Sequence, residues 1–516
     1  MASPTASESK IEAQRDGGAD AAVPYADEEY SAIDEKKLVA KLDRRIVPLV
    51  MLSYTLSFLD RVNIGNARLY GLEEDIGLKG NQYQIAVAIM FVTYLLLEVP
   101  SNLVLKPFSP SRWLAFIITA WGIVATLTGL VNNFGSLVAC RLVLGALEAG
   151  LFPGLNVYLT FFYTKHELAL RVGYLFVSAA IAGAFGGLLA YGIGHMEGVA
   201  GLGGWRWIMI LEGIPSVLLG VFILWFLPND AESASFLTDD EKKVMAARLT
   251  RGYGNTASAQ QYSSKDMLAA FRDWKVWLFC VAQFGVDTML YGFSTFLPTI
   301  IKSIGSWSAA EVQLLTVPCY FLGAVAYMAA AWYSDRVQRR AVLIVIFGCV
   351  SVVGYGILLS DSSSGAHYFG CFMIAMGLYI VVGLPLAWVS EQNSKQIRND
   401  SSKFRANKGI AQLPNNCPRY GKRTTACGMN LTMGNASGIM APFIYLTPEA
   451  PRYIRGNAVS LSMVGMAVGI YGFLWFWFRR ENQRRAAGQV SPKHQHLSEE
   501  ELAELGDESP HYRYTY

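Results

Sequence analysis

The chain is built from apolar runs long enough to cross a bilayer. About 20 helical residues span the hydrocarbon core. Runs of that kind are expected at 46–67, 81–105, 113–130, 136–160, 172–194, 206–227, 275–300, 311–333, 341–359, 367–388, 425–447 and 457–478. In lipid, backbone polar groups have to be satisfied within the segment, so continuous apolar runs read as helices. The composition agrees: 16% of the residues are charged, against about 25% in an average chain. The expected fold class is an all-α membrane protein of twelve transmembrane helices in two six-helix halves.

The first half covers 41–228 and the second 274–480, with a polar central loop at 229–273 in which acidic and basic residues nearly balance. Two blocks of six helices joined by a long loop are the plan of transporters made from two repeats, with the substrate site between them near the midplane. Residues 1–40 are rich in Ala, Ser, Asp and Glu and lack the apolar core of a signal peptide; they read as a disordered cytoplasmic tail. Residues 481–516 read as a second cytoplasmic tail. Lys41, Arg44, Arg45, Lys106, Arg112, Lys165, Arg171, Arg336, Arg339, Arg340, Lys422, Arg423, Arg479 and Arg480 all flank spans on one side. Lysine and arginine mark the cytoplasmic face, so both termini are expected inside. A plasma-membrane location is expected, with a vacuolar membrane as the alternative.

A net charge of +3 gives no reason to expect nucleic acid. Six of the seven cysteines lie in apolar runs, and neither CxxC nor a Cys/His ligand spacing occurs, so inert buried thiols are expected rather than disulfides or metal. No nucleotide loop, metal set or nucleophile constellation points to an enzyme. No cofactor is expected beyond a proton gradient, and the partners expected are a small organic anion, protons and the bilayer, with the chain a monomer.

Charges inside the spans carry the chemistry. Asp60 and Arg61 are adjacent in the first, and a charge at the bilayer centre costs roughly 2.5–3.5 kcal/mol on insertion scales. Arg141 and Glu148 in the fourth are two helical turns apart and share a face. At 1.5 Å per residue, Asp60 and Glu148 both fall roughly 18–21 Å from one membrane face, so the two spans can present two carboxylates and two guanidiniums to a common cavity. Such a set suits a proton carrier. Arg61 suits an anion, because its planar fork matches a carboxylate and keeps its proton. The plainer reading is a pair of buried salt bridges, Asp60–Arg61 and Arg141–Glu148, that only hold the bundle. Glu98 and Glu212 suit packing or gating. Asp287 is the one mid-span carboxylate of the second half; a third proton site, a substrate acceptor and a protonated group bonded to backbone all remain open for it.

Specific motifs accompany these charges. Asp60-Arg61-Val62-Asn63 goes with Tyr94-Leu95-Leu96-Leu97-Glu98-Val99-Pro100 and with Arg141-Leu142-Val143-Leu144-Gly145-Ala146-Leu147-Glu148. Gly204-Trp205-Arg206-Trp207 and Leu211-Glu212-Gly213-Ile214-Pro215 follow in the sixth span. Over roughly residues 40 to 480 the chain resembles the anion:cation symporter branch of the major facilitator superfamily, with fungal allantoate and nicotinate permeases as the relatives in view. The resemblance implies the major facilitator fold, Asp60 and Glu148 as protonation sites, and Arg61 as the ligand of the substrate carboxylate. It also implies Arg141, Tyr94, Trp388 and Asn435 as substrate-site lining. Ala331-Trp332-Tyr333-Ser334-Asp335-Arg336-Val337-Gln338-Arg339-Arg340 resembles the superfamily loop G-x-x-x-D-R-x-G-R-R with both glycines replaced. Asp335, Arg336, Arg339 and Arg340 then form either a gating latch or a plain topology signal.

One stretch departs from the family. Residues 389–412 are polar and basic where a short turn is usual, and removing them joins Trp388 to Leu413-Pro414-Asn415-Asn416, a W-x-x-N-N junction. A retained intron and a genuine cytoplasmic loop are the two readings. The functional expectation is proton-coupled uptake of a small carboxylate, ureide acid or vitamin-like acid. The alternatives are export of an acidic metabolite by proton antiport and a nutrient receptor that does not transport.

Overall fold

The computed structural model of the protein describes residues 34–105, 109–253, 264–337, 340–390, 420–450, 452–488 and 514, and no strand occurs among them. The first half comprises α1 (Glu35–Leu69), α2 (Gln82–Leu105), α3 (Pro110–Thr128), α4 (Phe134–Glu148), α5 (Leu151–Leu159), α6 (Lys165–Gly194) and α7 (Gly204–Phe226). The fourth span is thus two helices, α4 and α5, parted at Ala149-Gly150. Two linker helices follow, α8 (Asp239–Tyr253) and α9 (Ser264–Arg272). The second half comprises α10 (Trp274–Ile304), α11 (Ala309–Val337), α12 (Arg340–Leu359), α13 (Ser364–Ser390), α14 (Tyr420–Met440) and α15 (Ile454–Ala486).

Ten of the expected spans are long and apolar enough to cross a membrane. The other two, α1 and α14, are the most polar. α1 carries Asp60, Arg61, Asn63 and Asn66, and α14 carries Lys422, Arg423, Asn430 and Asn435. Both are packed inside the bundle: α1 lies against α6, α7 and α10, and α14 against α10 and α2.

Local signals explain where helices begin. Asn133 caps α4, its Oδ1 accepting from the Ser136 amide at 2.9 Å, and Thr164 caps α6 with Glu167 bonding back to the Thr164 amide at 3.0 Å. Each capping box satisfies two end donors that lipid could not. Prolines inside spans, such as Pro48, Pro215 and Pro298, are tolerated because neighbouring helices and side chains supply the lost contacts.

The halves meet where α6 packs on α11, α2 on α14 and α1 on α10. Contact is tight at the Leu69 end of α1. Gly65 lies against the Thr295 carbonyl with no room for a Cβ, and Asn66 accepts from Gln313 at 3.2 Å. The Arg68 guanidinium stacks over Tyr83 at 4.6 Å and Phe296 at 5.9 Å.

At the opposite, basic end, the central segment is more structured than a loop. α8 is clamped to the first half by Lys41–Glu241 at 2.7 Å and by Arg248 on Glu167. Asp43 pairs with Arg171 at 2.5 Å beside them. Residues 391–412 of the departing stretch, and both tails except for Glu35–Ala40, Asp34, 481–488 and Tyr514, lie outside the described residues. Cys280, Cys319 and Cys371 are buried as expected, and Cys140 and Cys427 partly so. Cys349 corrects the expectation: it is exposed, because the apolar run around it faces outward from α12, where lipid replaces a protein core.

Candidate functional site

Arg61 and Glu148 form the centre. Arg61 Nη2 donates to Glu148 Oε1 at 2.5 Å, and the Ser57 hydroxyl donates to the same oxygen. Ser57 and Arg61 are one helical turn apart and so reach one carboxylate together. Three rings surround the guanidinium: Tyr94 at 5.4 Å, Phe91 at 5.9 Å and Tyr291 at 5.9 Å from its Cζ. Tyr94 and Phe91 belong to α2 and Tyr291 to α10, so both halves contribute.

Asp60 points elsewhere. Adjacent helical residues diverge by about 100°, and the Asp60 carboxylate turns into the first half. There it accepts from Trp121 Nε1 at 2.9 Å and from Ser216 Oγ at 3.0 Å. Neutral donors from α3 and α7 therefore satisfy it, and neither ion pair of the plainer reading is the one formed. Arg141 is 2% exposed, with Asp60, Glu148 and Tyr83 as its electrostatic neighbours. No carboxylate among the described residues lies within ion-pair distance of it, and its Nε has no hydrogen-bond partner. Glu212 is buried beside Asp60 and Asn63.

On the other side of Arg61 a polar chain crosses between halves. Tyr291 donates to Asn435 Oδ1 at 2.6 Å, and the Asn435 side chain reaches Glu98 of α2. Asp287 lies one turn from Tyr291 on α10 but faces α14. Gln283 Nε2 donates to both of its oxygens at 3.1 Å, and Gln283 in turn accepts from Asn430 at 3.4 Å. Gly434 leaves the space that the Asp287 carboxylate fills.

Trp388 falls on the backbone of α13, but its side chain lies outside the described residues, as do the side chain of Asp335 and all of Arg339. Arg336 is exposed and stacks over Trp332 at 4.0 Å, and Arg340 is buried at the start of α12. No group of His, Cys, Asp and Glu among the described residues could hold a metal ion.

Sequence reasoning missed Ser57, Phe91, Trp121, Ser216, Tyr291 and Gln283. Ser57, Tyr291 and Gln283 could have been found, since each lies four residues from a charge already singled out. Trp121 and Ser216 carry no such signal. Chemically, the centre is a cation paired with one carboxylate within an aromatic ring set, with a second carboxylate held apart in the first half.

A model of the Major Facilitator Superfamily matches residues 50–402. An uncharacterized transporter of Schizosaccharomyces pombe is 39% identical, covering 90% of this chain and 88% of that protein. The high-affinity nicotinic acid transporter of Saccharomyces cerevisiae is 31% identical, covering 93% and 85% respectively. The major facilitator-type transporter hxnP of Emericella nidulans is 32% identical over 93% of each. Among solved structures, a bacterial homolog of the human lysosomal transporter Spinster, inward-facing and occupied, superposes with a TM-score of 0.60 at 15% identity. That match covers 83% of this chain and 96% of the other, and it carries the fold alone.

Proposed function

The chain belongs to the Major Facilitator Superfamily, and from that premise we propose that this multi-pass membrane transporter takes up a small organic anion together with protons. It is a transporter, not an enzyme. The observation that carries the proposal is the Arg61–Glu148 pair: a substrate carboxylate and Glu148 compete for one guanidinium.

Protonation of Glu148 removes the charge that occupies Arg61. The guanidinium then offers its planar fork to the carboxylate of the substrate, while Phe91, Tyr94 and Tyr291 flank the organic body. Asp60 acts as a second proton site, isolated from the anion by its bonds to Trp121 and Ser216. With both charges neutralised, the loaded halves rock about the α1–α10, α2–α14 and α6–α11 contacts and expose the site to the other side. Loss of the Glu148 proton restores the ion pair and expels the anion. Similarity to a nicotinic acid transporter supports a small carboxylate as the cargo, and the plasma membrane is the location proposed for it.

The test is a panel of radiolabelled carboxylates, nicotinate included, offered to proteoliposomes under an imposed pH gradient. Uptake of one acid that accumulates only with the outside acidic supports symport. Accumulation driven only by the reversed gradient indicates antiport and overturns the direction proposed.

A further inference from the structure

The linker helix α9 and the start of α10 form a feature that the transport cycle does not use. α9 buries Ala270 against the bundle, while Met267, Leu268 and Phe271 are exposed. Trp274 and Trp277 continue that apolar face into α10 and are also exposed. Trp277 Nε1 donates to the Phe271 carbonyl at 2.8 Å, tying the helix to the span. Tryptophans at this level mark the membrane–water interface, and a short amphipathic helix beside them lies in its plane.

Directly at that level is a cavity of about 470 Å³ lined by Leu268, Ala269, Arg272, Asp273, Trp274, Lys275 and Lys422. Among the described residues that line it are three cations and one carboxylate. Asp273 is shared, pairing with Lys422 at 2.7 Å and Lys275 at 3.4 Å. Arg272 is exposed, and no carboxylate among the described residues lies within ion-pair distance of it.

We propose that this cavity binds the headgroup of an anionic phospholipid from the leaflet at the basic end of the bundle. Its acyl chains lie along Leu268, Phe271, Trp274 and Trp277. The juxtaposition decides the occupant: cations at headgroup height are continuous with an exposed apolar and indole face, which a soluble anion could not use. The site braces the joint between α9 and α10, the span that also supplies Tyr291.

The test uses the purified full chain in phosphatidylcholine nanodiscs with or without phosphatidylglycerol, reading retained lipid by native mass spectrometry after detergent release. Each basic residue at an anionic surface contributes roughly fivefold in affinity (~1 kcal/mol). Arg272→Gln therefore loses roughly fivefold in phosphatidylglycerol retention, and Arg272→Gln with Lys422→Gln loses roughly 25-fold. Arg480→Gln, exposed at the same end, retains the lipid as the unaltered chain does. Should the double variant fold poorly, the exposed Arg272→Gln alone decides. Equal retention in all variants, equal retention of phosphatidylcholine, or displacement by soluble glycerol phosphate would overturn the proposal.

Discussion

Arg61 and Glu148 lie 87 positions apart on different helices, yet they form the ion pair at the centre of the candidate site, 2.5 Å from Nη2 to Oε1. The pair is largely buried on both sides, the Arg61 side chain 11% exposed and that of Glu148 3%. A buried pair is a poor device for stability alone, and removing one partner leaves the other uncompensated. In the proposed cycle its value is that a proton neutralises Glu148 while Arg61 keeps its charge.

Arg61→Lys is therefore expected to fail as well as Arg61→Ala. Lysine keeps the charge but lacks the planar fork, so initial uptake in proteoliposomes should drop at least tenfold, about 1.4 kcal/mol, in both. Near-normal uptake by Arg61→Lys would show that charge alone suffices.

Gly65 tests the rocking motion. A side chain at this position meets the Thr295 carbonyl of the opposite half. Gly65→Val is expected to hold that end of the bundle apart and to abolish turnover while the protein still folds. Cysteines introduced near the Leu69 end of α1 should then label readily in Gly65→Val and poorly in the unaltered chain.

Trp121 is predicted to matter for stability. Its indole donates to the buried Asp60 carboxylate at 2.9 Å, and Trp121→Phe leaves Ser216 as the remaining donor. A buried acceptor losing a partner costs about 1–3 kcal/mol, so a clear fall in the thermal midpoint is expected. Trp113→Phe, in the same helix α3 but away from Asp60, serves as the comparison.

The α8 clamp has a defined pH response. Lys41, and then the Thr238 amide, hold the Glu241 carboxyl below its ordinary range. A lowered folded value means that the contact stabilises above the unfolded carboxyl pKa, about 4.3, and fades as pH falls through the lower folded one. Surface pairs contribute about 0–1 kcal/mol, so the effect is local. Hydrogen exchange should show the Asp239–Tyr253 amides losing protection over that acid range, and Lys41→Met should shrink the pH dependence to the part that Thr238 supplies.

Much of this was legible from composition and spacing. Apolar runs gave the helices, and the rarity of charge within them singled out Asp60, Arg61, Arg141, Glu148 and Asp287. The actual pairing was not legible, because adjacency along the chain hides divergence around a helix. Arg61 turns to α4 and Asp60 to α3 and α7, where Trp121 and Ser216 look like ordinary span residues. α8 and α9 were read as loop because their apolar faces are too short to register against the long spans around them. In α1 and α14, polar residues that weaken the membrane signal are the ones that line or flank the site.

The most direct test of the account is pH-driven accumulation compared with substrate counterflow in Glu148→Gln proteoliposomes. Glutamine mimics the protonated carboxyl, so Arg61 should stay available and counterflow should persist. The pH gradient should no longer drive net accumulation. Normal gradient-driven accumulation by Glu148→Gln would contradict the assignment of Glu148 as the proton that frees Arg61.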